Sequence, residues 1–503
     1  MKKHNIIQGT LILIATGFIT QILLNLINQI VVIRLLGEIG IGIYVLILPT
    51  LTLLTTLSNI GFSNAIPTLL SRKNAHKKRI LSVVFILTML TNLVISVFLF
   101  IFAKPFSVLV LRDERTYYPL ISIIPLLFFL SISSIFRAYF QSKQNQTPAA
   151  LSMVIGQLVR VIASFNLVSY LIPKGPIQGV LGVILGVIIG EIASIVVLLI
   201  IFIKSISHTY SVSDFRTSDL KTQNFKEVIF VSLPTSGTKL IIAISQFLEP
   251  IIVLQSLFTI GYTSELSGML YSAISGFTLP ILLMPSFITQ ALTQAVMPTI
   301  GNAYATKNMQ KIHQQLTTIF KLSFFANGLF TVLIMLFPSE IMNFFFNTST
   351  GSEHLLFMAP FFLFYFFQTI LTATLHSINC TKETMVSTLI SSLLKLVVMF
   401  VLLPIPRINI QGLLIAIIVH ILILTVWQYS QLIRKINYPF KFYSFINACL
   451  IIGITFKIGN YLASTFTFSS SATMNMIITM GLTAFCYMFL IFSCGLFPKK
   501  EKR

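Results

Sequence analysis

This 503-residue chain should fold as an all-α polytopic membrane protein of fourteen transmembrane helices, in two pseudo-symmetric six-helix lobes plus a C-terminal helix pair. Three observations carry that expectation. First, 55% of the residues are hydrophobic, only 9% are charged, and the mean hydropathy is +0.92. A water-soluble fold cannot cover so much apolar side chain, so soluble enzymes and nucleic-acid modules are excluded. Second, a membrane helix takes about 20 apolar residues, and fourteen would use about 280, close to the whole apolar content. Third, the apolar runs are long and continuous, without the alternating ten-residue segments of a barrel.

Charged and Pro/Gly/Asn-rich breaks delimit the spans. The first six lie at about 11–33, 41–62, 80–102, 119–140, 149–171 and 178–203. A polar stretch from Lys204 to Lys226 follows. Eight more spans lie at about 228–254, 266–296, 318–337, 355–377, 384–403, 410–430, 443–463 and 474–497. Residues 1–203 are then an N-terminal lobe, 204–226 a cytoplasmic linker, 227–435 a second lobe, and 436–503 the last two spans with a basic tail. The first apolar stretch is too long for a cleavable signal, and no small-residue cleavage site precedes Arg34.

The lobes read as copies. Asn64-Ala-Ile-Pro67-Thr68, closing span two, matches Gln294-Ala-Val-Met-Pro298-Thr299, closing span eight. Gln178-Gly179 at the start of span six matches Gln411-Gly412 at the start of span twelve, and Arg160 in span five corresponds to Lys395 in span eleven. Six is an even number, so both copies have the same orientation and are related by an axis along the membrane normal, an arrangement suited to rocking about a central cavity. Spans thirteen and fourteen have no counterpart.

The formal charge of +21 comes from 34 Lys and Arg against 13 Asp and Glu. With the N-terminus inside, 23 basic residues fall on cytoplasmic segments, six outside, and five within or at the ends of spans. The net is +18 inside, 0 outside and +3 in the membrane. That asymmetry is the positive-inside signature, and it puts both termini in the cytoplasm. Most of the charge therefore sets topology.

The small intramembrane excess bears on chemistry. A basic side chain at the bilayer centre costs roughly 2.5–3.5 kcal/mol on insertion scales, so it normally faces a partner or a water-filled cavity. Arg160, Lys239 and Lys395 each lie about eleven residues into their spans, near the midplane at about 1.5 Å per residue. Glu191 is similarly deep, and Glu249 is deep or in the outer half. Two acids neutralise at most two bases, which favours an anionic substrate such as a phosphate or diphosphate. A structural Arg160–Glu191 pair is the competing reading. Lys239 reaches Glu249, ten residues on, only across a neighbouring helix. Lys457 snorkels, and Arg137, at a cytoplasmic helix end, is a headgroup anchor or a gate.

Pro234, Pro250, Pro280, Pro285 and Pro298 punctuate spans seven and eight, where a missing backbone donor permits bending. Gly182, Gly186 and Gly190 form a ridge on span six that allows close helix approach. Hinge and static packing are both open for these positions. Cys380, Cys449, Cys486 and Cys494 have no paired or metal-ligand spacing and read as small core residues. His376 and His420 lie in spans and read as packing residues. No catalytic or metal-binding constellation stands out, and no cofactor is expected.

Several stretches carry a family resemblance. They include Ser131-Ile-Ser-Ser-Ile-Phe-Arg137-Ala-Tyr-Phe-Gln141, Val231-Ser-Leu-Pro234-Thr-Ser-Gly237, Phe247-Leu-Glu249-Pro250 and Leu283-Met-Pro285-Ser-Phe-Ile-Thr289. Arg34-Leu-Leu-Gly37-Glu38 followed by Gly40-Ile-Gly42-Ile-Tyr44, and Met358-Ala-Pro360-Phe-Phe-Leu, fit as well. Over nearly its whole length the chain resembles the stage V sporulation protein B family. That family belongs with the polysaccharide-biosynthesis and lipid II flippase-like proteins of the multidrug/oligosaccharidyl-lipid/polysaccharide exporter superfamily. The resemblance implies two lobes, alternating access, and export of an undecaprenyl-diphosphate-linked wall precursor for spore cortex peptidoglycan. It adds the forespore outer membrane to the cell membrane as a location.

Two departures stand out. In span one the family usually has basic residues near Gln21 and Gln29, and in span five its Glu-Gln-x-x-Arg is Gly156-Gln157-Leu-Val-Arg160. The candidate cavity set is therefore Arg160, Lys395, Lys239, Arg34 and Gln29, with Glu191 and Glu249 as ion-coupling acids. The partners implied are the lipid-linked oligosaccharide, membrane lipids and wall-synthesis enzymes, with no nucleic acid. Two rival functions stay open at this level: a multidrug or organic-cation antiporter of the same superfamily, and a non-transporting scaffold for wall-synthesis enzymes.

Overall fold

The computed structural model describes residues 24–59, 66, 69–70, 77–143, 145–206, 222–439, 442–465 and 472–493. Most of the expected first span with Gln21, most of the Asn64–Thr68 junction, the middle of the 204–226 linker, Cys494 and the Lys499–Arg503 tail lie outside them. Among the described residues every regular element is helical, as the bilayer requires of a chain that must satisfy its backbone polar groups internally.

The first helices are α1 (Asn25–Asn59), α2 (Lys77–Pro105), α3 (Tyr117–Ser142), α4 (Thr147–Leu171), α5 (Pro176–Ile206) and α6 (Thr222–Thr259). The eighth span is a broken run of α7 (Ser264–Ser272), a π-turn at Ala273–Thr278, α8 (Leu279–Leu283) and α9 (Ser286–Ala305). Then come α10 (Met309–Leu336), the short α11 (Pro338–Phe346), α12 (Ser352–Ser377), α13 (Thr381–Leu402), α14 (Gln411–Ile436), α15 (Phe442–Thr465) and α16 (Ala472–Ser493). Twelve helices among the described residues are long and apolar enough to cross a membrane. One of them, Leu26–Asn59, holds parts of both expected spans one and two, and the thirteenth span appears as the shorter apolar stretch Cys449–Thr465. The count therefore agrees with fourteen spans.

Glycine and proline set the breaks. The loop expected between spans one and two reduces to a single break inside α1 at Gly37, where φ is 64° and ψ −176°. That conformation is costly for a side-chain-bearing residue. In the eighth span Pro280 and Pro285 lack the N–H that would continue the helix, and the ladder there shifts through the π-turn and ends at Leu283 before resuming at Ser286. By contrast, α6 runs helical through Pro234 and Pro250.

The chain divides into two compact units, one running to Ser272 and including Met399–Ile410, the other holding Ala273–Val398 and the chain from Gln411 on. The division falls at the break of the eighth span. In the first unit an apolar cluster joins Ile66, Leu69 and Leu70 to Val83, Val84, Ile135, Ala138 and Val228. The segment after α2 is tied to α6 and α7. Arg115 Nη2 lies 2.8 Å from Asp113 Oδ2 and its Nη1 lies 3.1 Å from Glu265 Oε1. The Arg112 guanidinium stands 4.0 Å from the centre of the Phe258 ring.

Each unit also contains a buried amide held by hydroxyls. In the first, the Ser58 hydroxyl donates to Asn92 Oδ1, Asn92 Nδ2 donates to Ser131 Oγ at 2.9 Å, and the two serine hydroxyls are 2.9 Å apart. In the second, Asn327 Nδ2 donates to Thr289 Oγ1 at 2.8 Å and to Ser323 Oγ at 3.0 Å. Both asparagines are essentially inaccessible. Removing a buried hydrogen-bond partner costs about 1–3 kcal/mol, with the low end typical between membrane helices. Asn92→Leu and Asn327→Leu should therefore each lower the thermal midpoint of the purified protein measurably. The comparison is Asn166→Leu, because the exposed Asn166 amide bonds only the Ile162 carbonyl of its own helix. Equal midpoints for all three variants would contradict the clasp.

In the second unit α14 packs one face on α12. Thr425 Oγ1 donates to the Phe364 carbonyl at 3.2 Å, and Thr372 Oγ1 donates to Gln428 Oε1 at 2.9 Å. Phe324, Val332, Leu363, Phe366, Ile451, Ile452 and Tyr487 build a core shared by α10, α12, α15 and α16. Of the cysteines, Cys380 is buried and Cys486 half-buried, whereas Cys449 is exposed and is no core residue.

Candidate functional site

The polar centre of the first unit is built on the contact between α4 and α5, and the glycine ridge on α5 makes that contact close. A Cβ at Gly190 would lie 2.7 Å from Arg160 Cβ and 2.8 Å from the Gly156 carbonyl oxygen. A Cβ at Gly182 would meet the Leu167 backbone at 3.1 Å. The reciprocal position on α4 is Gly156, where a Cβ would stand 2.9 Å from Ser194 Cβ and 3.0 Å from the Gly190 carbonyl oxygen. Backbone-to-backbone approach of this kind leaves position 156 no room for a side chain without a shift of its neighbours. The ridge is thus a packing device, as its spacing implies.

Arg160 projects from this seam. Its guanidinium lies close to the Tyr44 phenol on α1, while its Nε is shielded from solvent with no acceptor among the described residues. The arginine as a whole is half-buried. Three residues before it, Gln157 carries a shielded Nε2 that likewise finds no acceptor among the described residues.

Glu191 follows Gly190 directly and turns toward α3. Its Oε2 accepts from Ser133 Oγ at 2.8 Å and from Arg137 Nη2 at 3.3 Å. The same Arg137 nitrogen donates to Ser194 Oγ at 2.8 Å. The side chains of Arg137 and Glu191 are 26% and 19% exposed, so the pair is largely withdrawn from solvent. Among the described residues of this unit Arg160 has no carboxylate within ion-pair distance. The acid that depth alone offers to Arg160 is paired with Arg137, and Arg137 points into the bundle rather than toward a headgroup. Arg137, Arg160 and Glu191 together carry one net positive charge, and Arg160 is the one of the three without an ion-pair partner among the described residues of this unit.

Breaking a buried pair from one side is costly because the other charge stays behind, about 3–5 kcal/mol when fully buried. With both side chains about a fifth to a quarter exposed, a value nearer 1–3 kcal/mol is expected here. Arg137→Gln should destabilise the protein by that amount, and adding Glu191→Gln should restore most of it. Unfolding midpoints of the two single variants and the double variant measure the coupling. Additive losses would contradict the pairing.

The remaining candidates are spread out. Glu249 on α6 is 8% exposed and accepts from the Tyr271 hydroxyl at 3.3 Å. Lys239, ten residues earlier on α6, is exposed and forms no ion pair among the described residues. Gln29 is half-buried and Arg34 exposed, both before the Gly37 break in α1. Lys395 belongs to the second unit, on α13, and is 7% exposed. It continues a one-sided stripe of buried hydroxyls, Thr384, Ser387, Thr388, Ser391 and Ser392. Ser387 and Thr388 satisfy their hydroxyls on the Thr384 carbonyl at 2.9 and 2.8 Å. The structure thus brings Arg137 and Glu191 together, with Arg160 on the neighbouring turn of the same α4–α5 seam. Tyr44, Ser133 and Ser194 were not anticipated; only their being polar in apolar spans could have marked them.

These features define a polytopic α-helical membrane protein with paired and unpaired charges inside its bundle. The chain belongs to the polysaccharide biosynthesis protein family, whose profile matches residues 6–303; a MatE profile matches residues 242–401. It is 31% identical to stage V sporulation protein B of Bacillus subtilis, over 100% of this chain and 98% of that one. It is 21% identical to the lipid II flippase MurJ of Bacillus subtilis, over 78% and 77% of the two chains. A solved structure of lipid II flippase MurJ in an inward closed conformation shares the fold, with a TM-score of 0.71 and 17% identity, covering 96% of this chain and 99% of that one.

Proposed function

We propose that this protein is a flippase that carries an undecaprenyl-diphosphate-linked cell-wall precursor from the cytoplasmic to the outer leaflet by alternating access. Its relationship to stage V sporulation protein B points to the precursor of spore cortex peptidoglycan and to the forespore outer membrane as one place of action. The observation that supports this reading best is the uncompensated charge of Arg160. With Glu191 engaged by Arg137, a half-buried guanidinium with a shielded donor remains, suited to a phosphate oxygen. Charge-assisted bonds of this kind are the strong ones, and the arginine fork matches phosphate geometry.

In this mechanism the headgroup enters from the cytoplasmic side while the lipid tail stays in the bilayer. Arg160 meets the diphosphate, and Lys395, at the corresponding place in the second repeat, meets it during the cycle. Glu249, with Glu191, supplies the acids through which an ion or the membrane potential couples. Lys239, Arg34 and Gln29 line the rest of the path. No bond of the substrate is made or broken, so the protein acts as a carrier and not as an enzyme. An organic cation would meet repulsion at Arg160, which disfavours the multidrug reading.

The test is reconstitution in liposomes with three labelled substrates: lipid II, an undecaprenyl-linked teichoic precursor and an organic cation. Translocation of an undecaprenyl-linked substrate with no cation transport is expected. Cation transport alone would support an antiporter, and no transport of any substrate would leave the scaffold reading, in which the basic cytoplasmic loops recruit wall-synthesis enzymes.

A further inference from the structure

The face of α14 opposite its contact with α12 is not smooth. A shallow, open recess of about 480 Å³ runs along it, lined from Leu422 and Ile423 through Val426 and Trp427 to Ser430, Gln431 and Arg434. The spacing is that of one helical stripe, about 18 Å long for the twelve steps from Leu422 to Arg434 at about 1.5 Å each. Its lining changes character along that length, from aliphatic at Leu422 to amide, hydroxyl and guanidinium at the C-terminal end of the helix. Val426 is 66% exposed on this face.

The basic pair at that end is divided. Lys435 Nζ lies 2.8 Å from Glu383 Oε1, so its charge is engaged at the start of α13. Arg434 is exposed and forms no ion pair among the described residues. An apolar trough inside the hydrocarbon that ends in a tryptophan, two polar side chains and an unengaged guanidinium matches one kind of molecule: a lipid with an anionic headgroup. Aromatic residues and arginine gather at this depth because one end of the site is apolar and the other wet.

We propose that the α14 groove is a binding site for an anionic phospholipid of the leaflet at the Arg434 end, cytoplasmic by the distribution of basic residues. One acyl chain lies along Leu422–Val426, and the phosphate is held by Arg434 with Ser430 and Gln431 beside it. The site is built from residues of the second unit alone and does not depend on the transported substrate.

Trp427 is the single tryptophan of the chain, so its fluorescence reports this groove alone. The full-length protein is reconstituted in phosphatidylcholine vesicles containing a small fraction of brominated phosphatidylglycerol or, separately, brominated phosphatidylcholine. One phosphate–arginine contact near the surface is worth about 1 kcal/mol, roughly a fivefold preference. Quenching by the brominated phosphatidylglycerol should therefore reach half its maximum at about a fifth of the mole fraction needed for the phosphatidylcholine. Arg434→Lys should keep that preference and Arg434→Gln should abolish it, while maximal quenching at high fraction stays unchanged in both and so shows that the fold is intact. Equal quenching by the two lipids, or an unchanged preference in Arg434→Gln, would overturn the site. So would displacement of the brominated phosphatidylglycerol by stoichiometric undecaprenyl phosphate, which would assign the groove to the carrier lipid.

Discussion

Arg160→Ala is expected to lower the initial rate of precursor translocation in proteoliposomes about thirtyfold, at unchanged expression and thermal midpoint. The size follows from the bond lost: a hydrogen bond to a charged group contributes about 1.5–3 kcal/mol, and each 1.4 kcal/mol is tenfold. Stability should hold because Arg160 forms no ion pair with the described residues of its unit, so its removal strands no opposite charge. Arg160→Lys keeps the charge but loses the planar fork, so it should recover part of the rate. Lys395→Ala should also slow translocation, since both cations are assigned to the same diphosphate. Normal rates in both alanine variants would remove the assignment.

Gly190→Val is the second large effect, and it acts through geometry. The added Cβ would fall 2.7 Å from Arg160 Cβ and 2.8 Å from the Gly156 carbonyl oxygen, contacts that neither helix backbone can yield without separating α4 from α5. Overpacking a tight seam costs typically 1–3 kcal/mol, and both neighbours here are backbone or Cβ atoms. The expected result is a thermal midpoint several degrees lower, with translocation reduced beyond the loss of folded protein because Arg160 is displaced. Gly190→Ala should show a milder form of the same defect. Gly453→Ala is the control, because a Cβ there meets nothing within 4 Å. If Gly190→Ala behaved like Gly453→Ala, the close approach would be contradicted.

Much of this was legible in the sequence. Composition and the spacing of charged breaks sufficed for the helical membrane architecture, since a bilayer admits few alternatives. The four-residue spacing of Gly182, Gly186 and Gly190 marked the seam, and Pro280 and Pro285 marked where the eighth span breaks. Depth along a span identified Arg160, Glu191 and Lys395 as intramembrane groups. Pairing was not legible, because depth says nothing of azimuth. Arg137 lies near a helix end by count, yet α3 is rotated so that its guanidinium reaches Glu191 and Ser194. Tyr44 was hidden among the many aromatic residues of an apolar chain, and its role depends on which way α1 turns after the break at Gly37. The glycine at position 156 looked like a lost acid in the sequence, and only the α4–α5 distance shows that a side chain there has no room.

The buried amides carry a related lesson. Asn92 and Asn327 are 235 positions apart, the separation that also relates Arg160 to Lys395. A polar side chain recurring at the spacing expected between the two lobes is recognisable from the sequence. What the amides bond to is not, since Ser131 comes from a third helix in one unit while Ser323 comes from the asparagine's own helix in the other.

The central claim is that Arg160, left uncompensated by the Arg137–Glu191 pair, recognises a diphosphate. Equilibrium binding of labelled undecaprenyl diphosphate to the wild-type protein, to Arg160→Gln and to the Arg137→Gln/Glu191→Gln double variant tests it directly. The dissociation constant should be at least about tenfold higher for Arg160→Gln, from the loss of one charge-assisted contact, and little changed for the double variant. Equal affinities for the wild type and Arg160→Gln, or a larger loss in the double variant, would contradict it.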